Sequence, residues 1–210
     1  MARLNLEEQE QISKLAYFWR DYGKYIIGII IVVIVAYSSN EVYQWKTKEK
    51  AAQAAEIYSK LEKAALKNDA VITYNLASQM QAEYPKIEYT TFANMMSAKV
   101  AFAHKDLDKA SIYLNLVIKS SKDKYLVDIA RLRLADVYID QKKTKEAMDR
   151  MQEKTVSELM PLYHEKMGDL YFIMNEKIKA HNSYKIAMGL ATGSPDLAQA
   201  IQMKLDALGN

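Results

Sequence analysis

The stretch YIIGIIIVVIVAYSSN, residues 25–40, carries no charge and constrains everything around it. Between Lys24 and Glu41 stand six Ile, three Val and one Ala. On a translocon-insertion scale those β-branched residues favour lipid by roughly 3–5 kcal/mol. A run that is apolar on every side has no polar face to offer water, so it does not fit the surface helix of a soluble domain. From Tyr25 to Tyr37 the run would be only about 20 Å long as a helix. Over 24–43, with Lys24 snorkelling and Glu41 at the far interface, it reaches about 30 Å, the thickness of the hydrocarbon core. Tyr17, Trp19, Tyr22 and Tyr25 on one flank and Tyr37, Tyr43 and Trp45 on the other are placed as aromatic belts. A cleaved signal peptide would use Ala36 and Ser38 as its small residues. Its flank should be short and basic, whereas this tail is long and carries Glu7, Glu8, Glu10 and Asp21.

The expectation is therefore a tail over 1–23, a single transmembrane anchor over 24–43 with the lipid bilayer as its partner, and a domain over 44–210. Lys14, Arg20 and Lys24 precede the run, and Lys46, Lys48, Lys50 and Lys60 follow it, so positive-inside counting does not choose an orientation. Gly28 is a candidate contact with other membrane helices, without a GxxxG pattern to support it. Leu4, Leu6, Ile12 and Leu15 give the tail the makings of a short interfacial helix.

Beyond the anchor the chain reads as helix after helix. Val127, Ala130, Leu134 and Val137 recur at three- and four-residue spacing, with Asp128, Arg131, Arg133 and Asp136 between them. Six Gly and three Pro leave little for the turns of an all-β fold. Breaks fall at KND (67–69), EYPKIE (83–88), HKDL (104–107), SSKDK (120–124), DQKKT (140–144) and TGSP (192–195). The last reads as a helix start, with Ser194 as N-cap and Pro195 in the first turn.

The helices repeat. Ala98 pairs with Ala110, Ala135 with Ala147 and Gly168 with Ala180, each twelve residues apart, and the pairs recur after 37 and then 33 residues. AFAHKDLDKA, VYIDQKKTKEA and LYFIMNEKIKA rhyme around them. Small residues at paired positions let two helices pack closely, which is the mark of a repeated helical hairpin. The pattern resembles the tetratricopeptide repeat (TPR), whose hairpins stack into a solenoid. Asn94, Arg131 and His164 stand where a bulky aromatic often opens that motif. Residues 47–85 would be a poorer repeat acting as a cap, and 195–208 would close the other end with Leu197, Ile201, Leu205 and Leu208 on one face. The fold class expected is all-α, one N-terminal transmembrane helix followed by a TPR-like solenoid.

Catalytic patterns are missing. His104, His164 and His181 share no HExxH-type spacing, the glycines never form a phosphate loop, and no base is set beside a serine. Without cysteine there are no disulfides, thiolate metal sites or cysteine nucleophiles. A net charge of +3 against 26 acidic residues does not describe a nucleic-acid surface. The reading is a non-enzyme with no cofactor. The TPR resemblance places Met95, Lys99 and Phe102, then Leu132, Asp136 and Ile139, then Glu165, Asp169 and Phe172 on the inner face. An apolar strip dotted with acidic groups would suit a peptide with some positive charge. The same residues could instead pack against a neighbouring repeat or the C-terminal helix.

FWRDYGK (18–24), ARLRLADVYIDQKKTKEAM (130–148), GDLYF (168–172), AHNSYKIA (180–187) and QMKLDAL (202–208) give the chain a closer likeness. Together with the acidic tail and the single anchor, they resemble the YfgM family of bacterial inner-membrane proteins. That resemblance implies an ancillary subunit of the Sec translocon, with its N-terminus in the cytoplasm and its TPR-like domain in the periplasm. Its partners would be Sec translocon subunits, periplasmic chaperones and secretory proteins. A scaffold for another inner-membrane or envelope complex would share the fold and the anchor.

Overall fold

The computed structural model describes residues 6–152 and 156–209, with side chains except at 6–9, 11, 35, 36, 39 and 40. Helix α1 runs Leu6–Leu66, passing positions 23 and 43 without a break. The chain divides into two compact units, Met1–Ala52 and Gln53–Asn210. In the first, Ile27, Ile29–Ile34 and Tyr37 all stand exposed. Gly23 lies against the Trp19 ring, and a Cβ at Gly28 would meet nothing within 4 Å. Among the described residues no helix is long and apolar enough to cross a membrane. Val35, Ala36, Ser39 and Asn40, which complete the apolar run, have side chains outside that description, as do Leu4, Leu6, Glu7 and Glu8 of the tail.

The second unit is a stack of helical hairpins. Residues 53–66 of α1 pair with α2 (Ala70–Glu83), α3 (Glu88–Ala103) with α4 (Leu107–Ser120), α5 (Lys124–Asp140) with α6 (Thr144–Arg150), and α7 (Met160–Ile173) with α8 (Lys177–Leu190). Helix α9, Pro195–Ala207, follows, and no strand occurs among the described residues. Packing runs between successive helices, the arrangement of a solenoid in which each repeat rests on its neighbours.

One turn is used four times. Asn68, Lys105, Lys142 and Asn175 adopt φ of 56°, 61°, 62° and 60°. Each donates its amide to the carbonyl three residues back, at 2.9–3.0 Å. The next amide, of Asp69, Asp106, Lys143 or Glu176, reaches five residues back at 2.8–3.0 Å. This is a Schellman closure, satisfying the orphan carbonyls of the first helix while aiming the chain into the second. A lysine there costs roughly 1–2 kcal/mol that glycine would avoid. Asp69 and Asp106 then cap the following helix, each accepting from an amide three residues on at 3.1 Å. The poorer first repeat thus has the same turn as the rest.

The turn fixes which side chains meet. Seven residues before it stand Leu61, Ala98, Ala135 and Gly168; five after it stand Thr73, Ala110, Ala147 and Ala180. All eight are buried. A Cβ on Gly168 would come within 2.3–2.9 Å of the Tyr184 ring, so the fourth hairpin admits the tyrosine only because this residue is glycine. Three apolar clusters follow the stack: one from Ala54 to Val137, one around Ala135, Ala147, Met151 and Leu170, and one joining α8 to α9 through Tyr184, Ile201 and Leu208. Leu197 and Leu205 pack on the last of these.

One helix ends where the sequence pattern marks no break. Helix α6 stops after seven residues, and the chain passes through a 3₁₀ turn at Ser157–Leu159 before α7. No glycine marks that break, although Pro161 stands in the first turn of α7, and Asp128 helps to secure it. This aspartate, interleaved with exposed residues in the sequence, is buried; it accepts from the Val156 amide at 2.9 Å and from Arg131 at 2.8 Å. Ser194 occupies the N-cap of α9 with Pro195 in the first turn, but its side chain makes no capping bond.

Candidate functional site

The face lined by α3, α5 and α7 carries the residues that the repeat register selects. Ten, six and three residues before the left-handed turn stand Met95, Lys99 and Phe102 in the second hairpin, Leu132, Asp136 and Ile139 in the third, and Glu165, Asp169 and Phe172 in the fourth. None of the nine is fully buried.

Two adjoining hollows occupy this face. A cavity of about 450 Å³ is lined by Ala98, Lys99, Phe102, Leu114, Arg133, Asp136, Val137, Ile139 and Asp140. A second, of about 310 Å³, shares Arg133 and Asp136 and continues over Leu132, Leu162 and Glu165. The structure thus brings together six of the nine residues: Lys99, Phe102, Leu132, Asp136, Ile139 and Glu165. Met95 packs against the first apolar cluster instead. Asp169 and Phe172 line neither hollow.

Over the fourth hairpin α9 changes the face. Lys204 on α9 donates to Glu165 and to both oxygens of Asp169, at 2.6 and 2.8 Å. The Tyr184 hydroxyl donates to Asp169 at 2.8 Å, and Lys166 reaches it at 3.3 Å. Lys166 also pairs with Asp136 at 2.6 Å, linking α7 to α5. Burial works against the charge on Lys166, but Asp136, Asp169 and Glu165 outweigh it and hold the ammonium above its ordinary value. Burial, then the bond to Asp169, pushes the Tyr184 hydroxyl far above the usual phenol range. The acidic groups expected to receive a positively charged peptide are therefore already engaged by the chain's own lysines.

Arg133, Lys166 and Lys204 were not selected by the sequence reading, although a signal for the first two was present. RLAD (133–136) and KMGD (166–169) set a base three residues before an acid at the same place in successive repeats. The matching tetrad of the second hairpin, MSAK (96–99), ends on lysine instead.

The histidines do not converge. His104 Nε2 donates to the Asn68 carbonyl at 3.0 Å, tying the second turn to the first. His164 lies edge-on to Tyr163, with its pKa lowered by burial. Among the described residues no group of three His, Cys, Asp or Glu is placed to hold a metal.

A domain described as tetratricopeptide repeat-like matches residues 16–210. The chain belongs to the tetratricopeptide repeat-like domain family. The YfgM-family resemblance is borne out by relatives named ancillary SecYEG translocon subunit. The one from Neisseria gonorrhoeae is 28% identical over 205 residues, covering 97% of this chain and 98% of the relative. That from Haemophilus influenzae is 26% identical over 204 residues, with the same coverage of both chains. A third, from Buchnera aphidicola, is 32% identical over 91 residues, covering 43% of this chain and 46% of its own length.

Proposed function

We propose that this chain is a membrane-anchored interaction protein, an ancillary subunit of the Sec translocon that links secreted proteins to periplasmic chaperones. The observation that carries the reading is the end-to-end match to relatives of that name, spanning the apolar segment and the hairpin stack alike. Helix α1 supports an anchor over 24–43, because its exposed Ile and Val side chains favour hydrocarbon over water. The tail of 1–23 then lies in the cytoplasm and the stack within 44–210 in the periplasm. The stack supports a role in protein–protein contact, since hairpin solenoids present an extended face built from successive repeats.

The division of labour is physical. The anchor confines the chain to two dimensions beside its membrane partner, raising the effective concentration of the stack for whatever emerges there. The face over α3 and α5 offers apolar hollows for a segment of that protein. The test is affinity purification of the full chain from membranes in mild detergent, after crosslinking from positions 25–43. Recovery of Sec translocon subunits on the anchor, with chaperones or secretory chains on the stack, is the expected result. Reproducible recovery of a different membrane complex without translocon would move the function to a scaffold.

A further inference from the structure

Resting on that reading, we infer that the hollow between α3 and α5 is a docking site for an acidic, apolar peptide segment of a partner protein. In turn coordinates, the residue six before the turn faces the residue nine before the next turn. At the junction of the third and fourth hairpins these are Asp136 and Lys166, paired at 2.6 Å. Beyond the fourth hairpin Asp169 pairs with Lys204 on α9. At the junction of the second and third hairpins the acid is replaced, and Lys99 stands with Arg133. Neither has an ion-pair partner among the described residues, and both line the 450 Å³ hollow.

The hollow's carboxylates do not offset this. Asp136 is held by Lys166, and Asp140 lies 3.8 Å from Lys105. What remains for a ligand is an apolar floor of Phe102, Leu114, Val137 and Ile139 beside two solvent-exposed cations, Lys99 and Arg133. The size suits a bulky apolar side chain, and the charge selects a neighbouring Glu or Asp. This reverses the preference that the acidic residues of the sequence suggested.

The test uses the full chain in phosphatidylcholine nanodiscs, with empty nanodiscs as control. Short labelled peptides with Leu at helical spacing and Glu, Gln or Lys elsewhere are titrated by fluorescence anisotropy. The Glu peptide is expected to bind about tenfold more tightly than the Lys peptide, a preference that fades in high salt. Lys99→Glu with Arg133→Glu should reverse the order, whereas Lys119→Glu on the outside of α4 should leave it intact. Both replaced side chains are exposed, so helicity and melting should be preserved; Phe102→Ala should weaken every peptide.

Equal binding of the Glu and Lys peptides, no binding of either, or insensitivity to the double reversal would overturn the inference. So would displacement of the Glu peptide by phosphatidylglycerol nanodiscs, which would assign the cations to lipid headgroups. Translocon recovery from membranes separates this from the broader reading. If the translocon co-purifies while the peptide preference fails, only the docking chemistry is wrong. If the preference holds but no translocon is recovered, the reverse is true.

Discussion

The second and fourth hairpins share one backbone frame and put it to opposite use. Both close their turns with a left-handed residue, Lys105 and Asn175, and both set a phenylalanine three residues earlier, Phe102 and Phe172. Over the second hairpin the face is hollow, with Lys99 and Arg133 beside it, neither with an ion-pair partner among the described residues. Over the fourth, α9 sets Lys204 on Glu165 and Asp169, so the acids are engaged while Phe172 itself stays exposed. The lesson is that a repeat register says where a face lies but not whether it is free. That depends on single charge exchanges between neighbouring repeats.

The sharpest way to break the contrast is to free the acids of the fourth hairpin. Lys204→Met strips Glu165 of its lysine and leaves Asp169 with Lys166 at 3.3 Å, and should cost about 3 kcal/mol. Urea unfolding of the full chain checks the loss. The variant should also gain affinity for the Lys peptide, which the native chain binds weakly. A smaller effect tests the packing behind these ion pairs. Gly168→Ala drives a methyl into the Tyr184 ring and should cost about 2 kcal/mol. Most of that should be recovered in a Gly168→Ala, Tyr184→Ala double-mutant cycle, measured against Tyr184→Ala alone.

Smaller again, Lys142→Gly should stabilise by about 1 kcal/mol, because glycine takes the left-handed turn without strain. A rise in the urea midpoint at unchanged slope would confirm that the common frame carries this cost. The last effect shows only at high pH. Tyr184 has its folded-state pKa raised above the ordinary 10.0, first by burial and then by its bond to Asp169. Its contribution is complete below pH 10 and is lost as pH rises above that value. Unfolding followed from pH 8 to 11 should show this decline, flattened in Tyr184→Phe.

Much of this architecture was legible because it rests on local chemistry. Paired small residues twelve apart and polar turn sequences announce a hairpin, and every break read at 67–69, 83–88, 104–107, 120–124, 140–144 and 192–195 falls between helices. The break after Arg150 was not legible, since it depends on Asp128, 28 residues before the amide it holds at Val156. The candidate face was half legible. The register found Lys99, Phe102, Asp136 and Ile139 at one hollow, because a repeat places equivalent residues alike. It could not show that Asp169 and Glu165 are spent on Lys204, 35 and 39 residues further on. Lys204 stands on α9, outside the repeats, so its pairs leave no periodic trace.

The most direct measurement places a photoreactive phenylalanine analogue at position 102 or at position 172 of the full chain and irradiates intact membranes. The two sites are equivalent in the repeat and native to phenylalanine, and Phe172 is the more exposed, so they differ in that Phe102 alone lines the hollow. Crosslinks to translocon subunits, chaperones or secretory chains from position 102, and few or none from 172, are the predicted result. Crosslinks to those proteins from 172 with none from 102 would contradict the assignment of the hollow as the docking site.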